Sequence, residues 1–200
     1  FSERGVDLPG LMRAVQAARA RQQPLLLLGT AFALVQLLDD LAGTGLPLPP
    51  GSVVMQTGGF KGRTREVSMA ELRAGLSRAF TLEPARIVGE YGMTELTSQL
   101  YEATVGESAL AQRHPGAPAG RYFEPPWLRV TPVDPLSLEP VTNGEVGLAR
   151  FIDLGNVDSA VCVVTQDLVR RVGGGIELLG RQPGATPRGC SLSIEALLHG

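Results

Sequence analysis

The residues best equipped for chemistry lie in the stretch Gly89-Glu90-Tyr91-Gly92-Met93-Thr94-Glu95. Apolar residues lead up to Tyr91, Gly92 permits a tight turn, and a hydroxyl and a carboxylate follow. Ligands of open α/β sheets gather at the carboxyl ends of strands, so Thr94 can bond a phosphate oxygen there. Glu95 beside it can hold Mg²⁺. The same spacing equally suits a strand–turn–helix in which Glu95 is a first-turn acid. A second candidate is Cys190, which sits between Arg188-Gly189 and Ser191, just ahead of a helical pattern that starts at Ser193. An adjacent guanidinium and a helix N-terminus both favour the thiolate. The alternative for Cys190 is a buried structural cysteine, and Cys162, alternating within Ala160–Val164 with no charged neighbour, is assigned that role. Lys61, the single lysine, either reaches a phosphate or is simply solvated, and His114 and His199 have no partner at a useful spacing.

These groups need a scaffold, and the hydrophobic pattern predicts one. Asp7 caps a first helix that carries Pro9 near its start and is stopped by Pro24. Leu25–Leu28 reads as a short strand buried on both faces. Phe32–Leu41 is helical, Ser52–Thr57 is a second strand running into Gly58-Gly59, and Ser68-Met69-Ala70-Glu71 is a capping box that opens another helix. A third strand, Arg86–Tyr91, ends at the motif described above. Strands alternating with helices imply a parallel sheet of βαβ units. Beyond about residue 105 the pattern changes. Arg113–Pro126 is loop-like, and then come short strands at Leu128–Val133, Val146–Phe151, Ala160–Val164 and Ile176–Leu179, separated by turns such as Asn143-Gly144. The fold class expected is therefore α/β. A parallel βαβ subdomain over residues 1–125 is followed by a small all-β subdomain, a barrel or meander, over 126–200.

Composition narrows the function. The chain has 200 residues, 44% of them hydrophobic and 19% charged, enough to bury roughly 70% of its unfolded surface. Disorder and a disulfide-rich scaffold are excluded. A net charge of −2 offers no basic excess for a nucleic-acid backbone. The longest apolar run, residues 25–38, is too short to span a bilayer. Two cysteines without zinc-type spacing fit reduced thiols in the cytoplasm. A start at Phe1 and an end at Gly200, just inside a helical pattern, are read as the limits of a fragment of a longer polypeptide.

Tyr91-Gly92-Met93-Thr94-Glu95 resembles the YGxTE motif of the adenylate-forming superfamily. Gly144-Glu145-Val146-Gly147, Thr165-Gln166-Asp167-Leu168 and Gly180-Arg181 follow in the order that superfamily shows. Within it, the chain is most similar to the LuxE-type acyl-protein synthetases, relatives of phenylacetate-CoA ligase. The segments that carry this likeness are Thr57–Lys61, Phe151–Asn156, Thr165–Leu168 and Arg188–Leu192. The resemblance implies ATP and Mg²⁺ as cofactors, with Thr94 on the α-phosphate and Glu95 on the metal. It places Tyr91 and Gly92 beside the adenine, with Gly58 and Gly59 letting backbone approach the ring. Asp167 would accept from the ribose hydroxyls, and Arg181 would donate to ribose or phosphate. Cys190 would carry the acyl group. Simpler readings remain beside these: Gly58-Gly59 as a turn, Asp167 as the cap of a turn towards Arg170, and Arg181 as an exposed turn residue.

The activity so implied is ATP-dependent activation of a fatty or other carboxylic acid, followed by transfer to Cys190 and then to a reductase or carrier partner. Transfer to coenzyme A is the alternative enzyme, and a non-catalytic nucleotide-binding remnant is the alternative outside catalysis. The superfamily's Ser/Thr/Gly-rich phosphate loop and its small C-terminal domain with a catalytic lysine are not found in these residues, and Gln166 replaces a usual glycine. The chain by itself is therefore expected to be inactive.

Overall fold

The computed structural model describes residues 6–59 and 67–184. The chain forms two compact units, one of Phe1–Glu90 with Ala103–Ala119, the other of Tyr91–Glu102 with Gly120–Gly200.

The first unit is built on local signals in the sequence. Helix α1 (Leu8–Ala20) starts where the Asp7 carboxylate accepts from the Gly10 N–H at 2.9 Å, with proline in its first turn. It stops at Ala20, ahead of Pro24, as Gln22 turns to a left-handed φ of 53°. Strand β1 (Leu26–Thr30) leads directly into α2 (Ala31–Asp40), which the Thr30 hydroxyl caps. Strand β2 (Val53–Thr57) is followed by α3 (Met69–Phe80). At the start of α3, Ser68 and Glu71 cap reciprocally, the Ser68 Oγ accepting at 3.1 Å and the Glu71 carboxylate at 2.7 Å. A 3₁₀ turn, Pro84–Arg86, then enters β3 (Ile87–Tyr91).

The three strands run parallel, as the βαβ pattern predicts, with Leu27, Val54 and Ile87 in one cross-strand row. That row joins Val15, Leu34, Val35, Leu72, Leu76 and Phe80 in a single apolar core beneath the three helices. The expectation that Leu25–Leu28 is buried on both faces is wrong. Leu26 and Leu28 point to the face away from that core and are 62% and 58% exposed. Among the described residues that face is uncovered at β1, whereas Val88, in the same cross-strand row as Leu28 and Met55, is buried in β3.

The second unit is antiparallel. Its strands are β4 (Leu100–Glu102), β5 (Arg121–Phe123), β6 (Leu128–Val133), β7 (Val146–Asp153), β8 (Cys162–Val172) and β9 (Gly175–Arg181). They lie in the order β4-β5-β9-β8-β7-β6, so β6 to β9 form a meander. Gly173 and Gly174, with φ of 55° and 78°, make the two-residue hairpin between β8 and β9, a turn that needs left-handed backbone at both central positions. Leu100, Tyr122, Leu128, Val130, Phe151, Val169 and Ile176 form the core.

Three expectations are corrected here. Part of the loop expected at 113–126 is strand β5, which pairs with β4 and β9. The strand expected at 160–164 continues to Val172, which puts Asp167 inside β8 and not at a turn. Cys162 is exposed, not buried. Among the described residues the start of β8 pairs with β7 alone, because the β9 partners of β8 begin at Asp167, and residues 162–164 have no partner strand on the other side.

Candidate active site

Tyr91 ends β3, and two contacts within the second unit fix its ring. It stacks on Phe151 with centroids 5.9 Å apart and planes 10° from parallel. Its hydroxyl donates to Asp167 Oδ2 at 2.6 Å. Burial first, and the neighbouring Asp167 carboxylate second, push the Tyr91 phenol well above its ordinary range. It therefore remains a donor at any working pH. The register of β8 on β9 sets Asp167 opposite Arg181, whose Nε lies 3.4 Å from Oδ1. The Asp167 N–H also donates to the Thr165 hydroxyl at 3.2 Å. Two segments separated by 76 residues thus meet in one hydrogen bond. Asp167 caps no turn, and Arg181 is not free in a turn but ends a strand facing a carboxylate. One lone pair of Asp167 serves Tyr91, and an ionised carboxylate has about four such sites, so capacity remains for a ligand.

After β3 the chain passes through Gly92 into an exposed turn, and no helix follows before β4. The reading of Glu95 as a first-turn helix acid is thereby overturned. Thr94 and Glu95 are both exposed, and the Thr94 hydroxyl donates to Glu95 Oε2 at 3.1 Å. What holds this turn is next in the chain: Leu96 and Ser98 are buried, and the Trp127 indole N–H donates to the Ser98 hydroxyl at 2.5 Å. The described residues contain no group of three His, Cys, Asp or Glu able to cage a metal ion. A lone exposed carboxylate with a hydroxyl beside it fits Mg²⁺, which takes one or two carboxylates and draws its other ligands from substrate phosphate and water.

Gly58 and Gly59 follow β2 in the first unit. Gly58 has a φ of 66°, which favours glycine, and a side chain built at either position would meet open space. Cys190, Lys61, His199 and the helical pattern from Ser193 lie outside the described residues. His114 follows the short helix α4 (Ala109–Arg113), opened by Ser108, in the first unit.

Sequence reasoning missed Phe151, which orients Tyr91, and two polar residues after it. Asp153 accepts from Thr97, and the Asn156 amide donates to the Glu95 carbonyl at 3.0 Å. The available signal was an acid and an amide within Phe151–Asn156, a segment noted for its resemblance but given no role.

The chain shares its fold with solved structures of other proteins. It matches the McyG A-PCP complexed with phenylalanyl-adenylate at 17% identity and a TM-score of 0.56, covering 88% of this chain and 29% of that one. ATP-bound MatB from Rhodopseudomonas palustris matches at 15% identity and a TM-score of 0.57, over 85% of this chain and 33% of its own. At those identities the likeness concerns the fold alone. The family model for acyl-protein synthetase, LuxE, matches residues 11–198, and the chain belongs to that family. A curated relative, the long-chain-fatty-acid--luciferin-component ligase of Vibrio harveyi, is 27% identical over 150 residues. That match takes in 70% of this chain and 36% of the relative, so the chain spans little more than a third of it.

Proposed function

We propose that the full-length protein activates a long-chain fatty acid, or a carboxylic acid like it, with ATP and then carries the acyl group on Cys190. Family membership and the name of the Vibrio harveyi relative support this reading. The observation that carries it is the bond from Tyr91 to Asp167, which joins two of the segments on which the resemblance rests.

In the first step a carboxylate oxygen of the acid attacks the α-phosphorus of ATP. The bond to the bridging oxygen breaks, and pyrophosphate leaves with its electron pair. Thr94 would donate to the α-phosphate, and Glu95 is the residue that would hold Mg²⁺. When bound, that ion neutralises phosphate charge. Tyr91, fixed by Phe151 and Asp167, offers a rigid aromatic surface to the base, with Gly92 next to it. Gly58 and Gly59 allow close backbone approach without side chains in the way. Asp167 has lone pairs for the ribose hydroxyls, and Arg181 beside it adds a donor. In the second step the Cys190 thiolate attacks the acyl carbonyl, and AMP leaves. Dividing a hard condensation in this way is covalent catalysis. A reductase or carrier then collects the acyl group.

No helix among the described residues is long and apolar enough to cross a membrane. We place the reaction in the cytoplasm, where ATP and reduced thiols coexist, with no part for nucleic acid. The test is pyrophosphate exchange by the full-length protein over a panel of carboxylic acids, followed by intact-protein mass spectrometry. Acid-dependent exchange with an acyl adduct lost in Cys190→Ser supports the proposal. Exchange with no acid overturns it, and free acyl-CoA without an adduct moves the acceptor to coenzyme A.

A further inference from the structure

The turn that ends β7, Asp153-Leu154-Gly155-Asn156, joins each of its two polar side chains by a hydrogen bond to the same distant segment, residues 95–97. Asp153 is 1% exposed. Its carboxylate accepts from the Thr97 backbone N–H at 2.8 Å, from the Thr97 hydroxyl at 3.0 Å to both oxygens, and from the Gly155 N–H at 3.0 Å. Asn156 Nδ2 donates to the Glu95 carbonyl and to the Ala160 carbonyl, each at 3.0 Å. A side chain at Gly155 would collide with the Thr97 hydroxyl, so glycine is what lets the two segments close. Thr97 and Glu95 are distant from this turn in sequence, by 56 and 61 positions. They flank Leu96, whose side chain is buried in the core below.

A buried carboxylate with no ligand to bind is costly unless its oxygens are satisfied. Here they are satisfied by Gly155 within the turn and by Thr97, in the short segment that displays Thr94 and Glu95. Both of those residues are exposed and in a turn, without a helix or ladder to fix them. We propose that Asp153 and Asn156 are positioning residues, a two-point clamp that sets the Thr94–Glu95 turn for adenylation. The inference rests on the assignment of Thr94 and Glu95 to the phosphates and the metal.

Outer groups that orient a ligating carboxylate are typically worth about 10–100-fold in activity when removed. Since the clamp acts on groups that matter most in the transition state, its loss lowers kcat more than it raises KM for ATP. Asn156 is half-buried at the surface, so Asn156→Ala should fold. In pyrophosphate exchange by the full-length protein we expect Asn156→Ala to lose about tenfold in kcat, with KM for ATP changed by less than about twofold. Thr97→Val should show the same split while Thr97→Ser, which keeps the hydroxyl, restores the rate. This pair keeps the Asp153 half testable if Asp153→Asn fails to fold.

The decisive readout is the cycle with Glu95→Gln. If Asn156 acts through Glu95, Asn156→Ala costs much less in the Glu95→Gln background than alone. Equal losses in the two backgrounds, or a wild-type rate for Asn156→Ala beside an impaired Glu95→Gln, overturn the clamp and leave the site reading standing. A wild-type rate for Glu95→Gln itself overturns the site reading and the clamp together.

Discussion

In the first unit the polar groups that start helices answer donors three residues away: Asp7 to Gly10, Thr30 to Ala33, Ser68 to Glu71, Ser108 to Ala111. In the second unit they reach across the fold, from Tyr91 to Asp167, Thr97 to Asp153, Asn156 to Glu95 and Arg171 to Glu124. The first unit is an apolar core under helices whose caps are short-range, with a few longer bonds such as that from the Leu25 N–H to the Ser52 hydroxyl. The second combines an apolar core with long-range polar bonds, and these hold Tyr91, the Thr94–Glu95 turn and Asp167. A parallel βαβ layer can tolerate approximate caps, since burial dominates its stability. Exposed residues that must present a hydroxyl and a carboxylate in fixed positions need bonds that specify geometry.

Removing core from the first unit should have the largest effect on stability. Leu76 of α3 is fully buried, and Leu76→Ala should cost about 2–5 kcal/mol in urea unfolding. A cost under half of that range would mean this unit depends less on burial than the comparison claims. In the second unit Tyr91→Phe keeps the stacking on Phe151 but removes the donor to Asp167. We expect about 1–2 kcal/mol of destabilisation. Ultraviolet titration, with Tyr91→Phe as the difference, should place the Tyr91 phenol well above the ordinary 10.0. Ionisation at the ordinary value would show that the bond is not maintained in solution. Ser68→Ala removes one half of a reciprocal cap and should cost about 1 kcal/mol.

The smallest effect is electrostatic. The Arg170 guanidinium bonded to Glu177, with Arg121 nearby, holds the Glu177 carboxyl below its ordinary 4.5. The folded chain therefore keeps this charge to lower pH than the unfolded chain does. Its contribution is present above pH 4.5 and is lost as pH falls through the folded-state value. Urea midpoints measured against pH should fall through that window, and Glu177→Gln should flatten the fall. An identical slope in the variant would assign the acid sensitivity to other groups.

The same contrast explains what was legible in the sequence. The capping box at Ser68–Glu71, the cap at Asp7 and the strand at Leu128–Val133 were readable because each is a local pattern. Leu26 and Leu28 misled because a continuous apolar run does not record how many faces a neighbour covers. Cys162 misled for a related reason: alternation in a strand does not reveal that β9 pairs with only part of β8. Tyr91, Asp167 and Arg181 were picked out by their motifs, but the bond between Tyr91 and Asp167 was not. Asp153 and Asn156 were printed in a noted segment and given no role, because no local rule links an acid to a backbone amide 56 residues earlier.

The proposed function requires Glu95 to act as a charge at the phosphates and not only as a turn residue. Glu95→Gln keeps the size and most of the hydrogen bonding of the side chain while removing its charge. Since Glu95 is exposed, the thermal midpoint of the full-length protein should hardly move. Pyrophosphate exchange with the preferred acid should fall by about 10²-fold, the scale of losing one preorganised electrostatic group. Near-normal exchange by the substituted protein would contradict the assignment of this turn to adenylation.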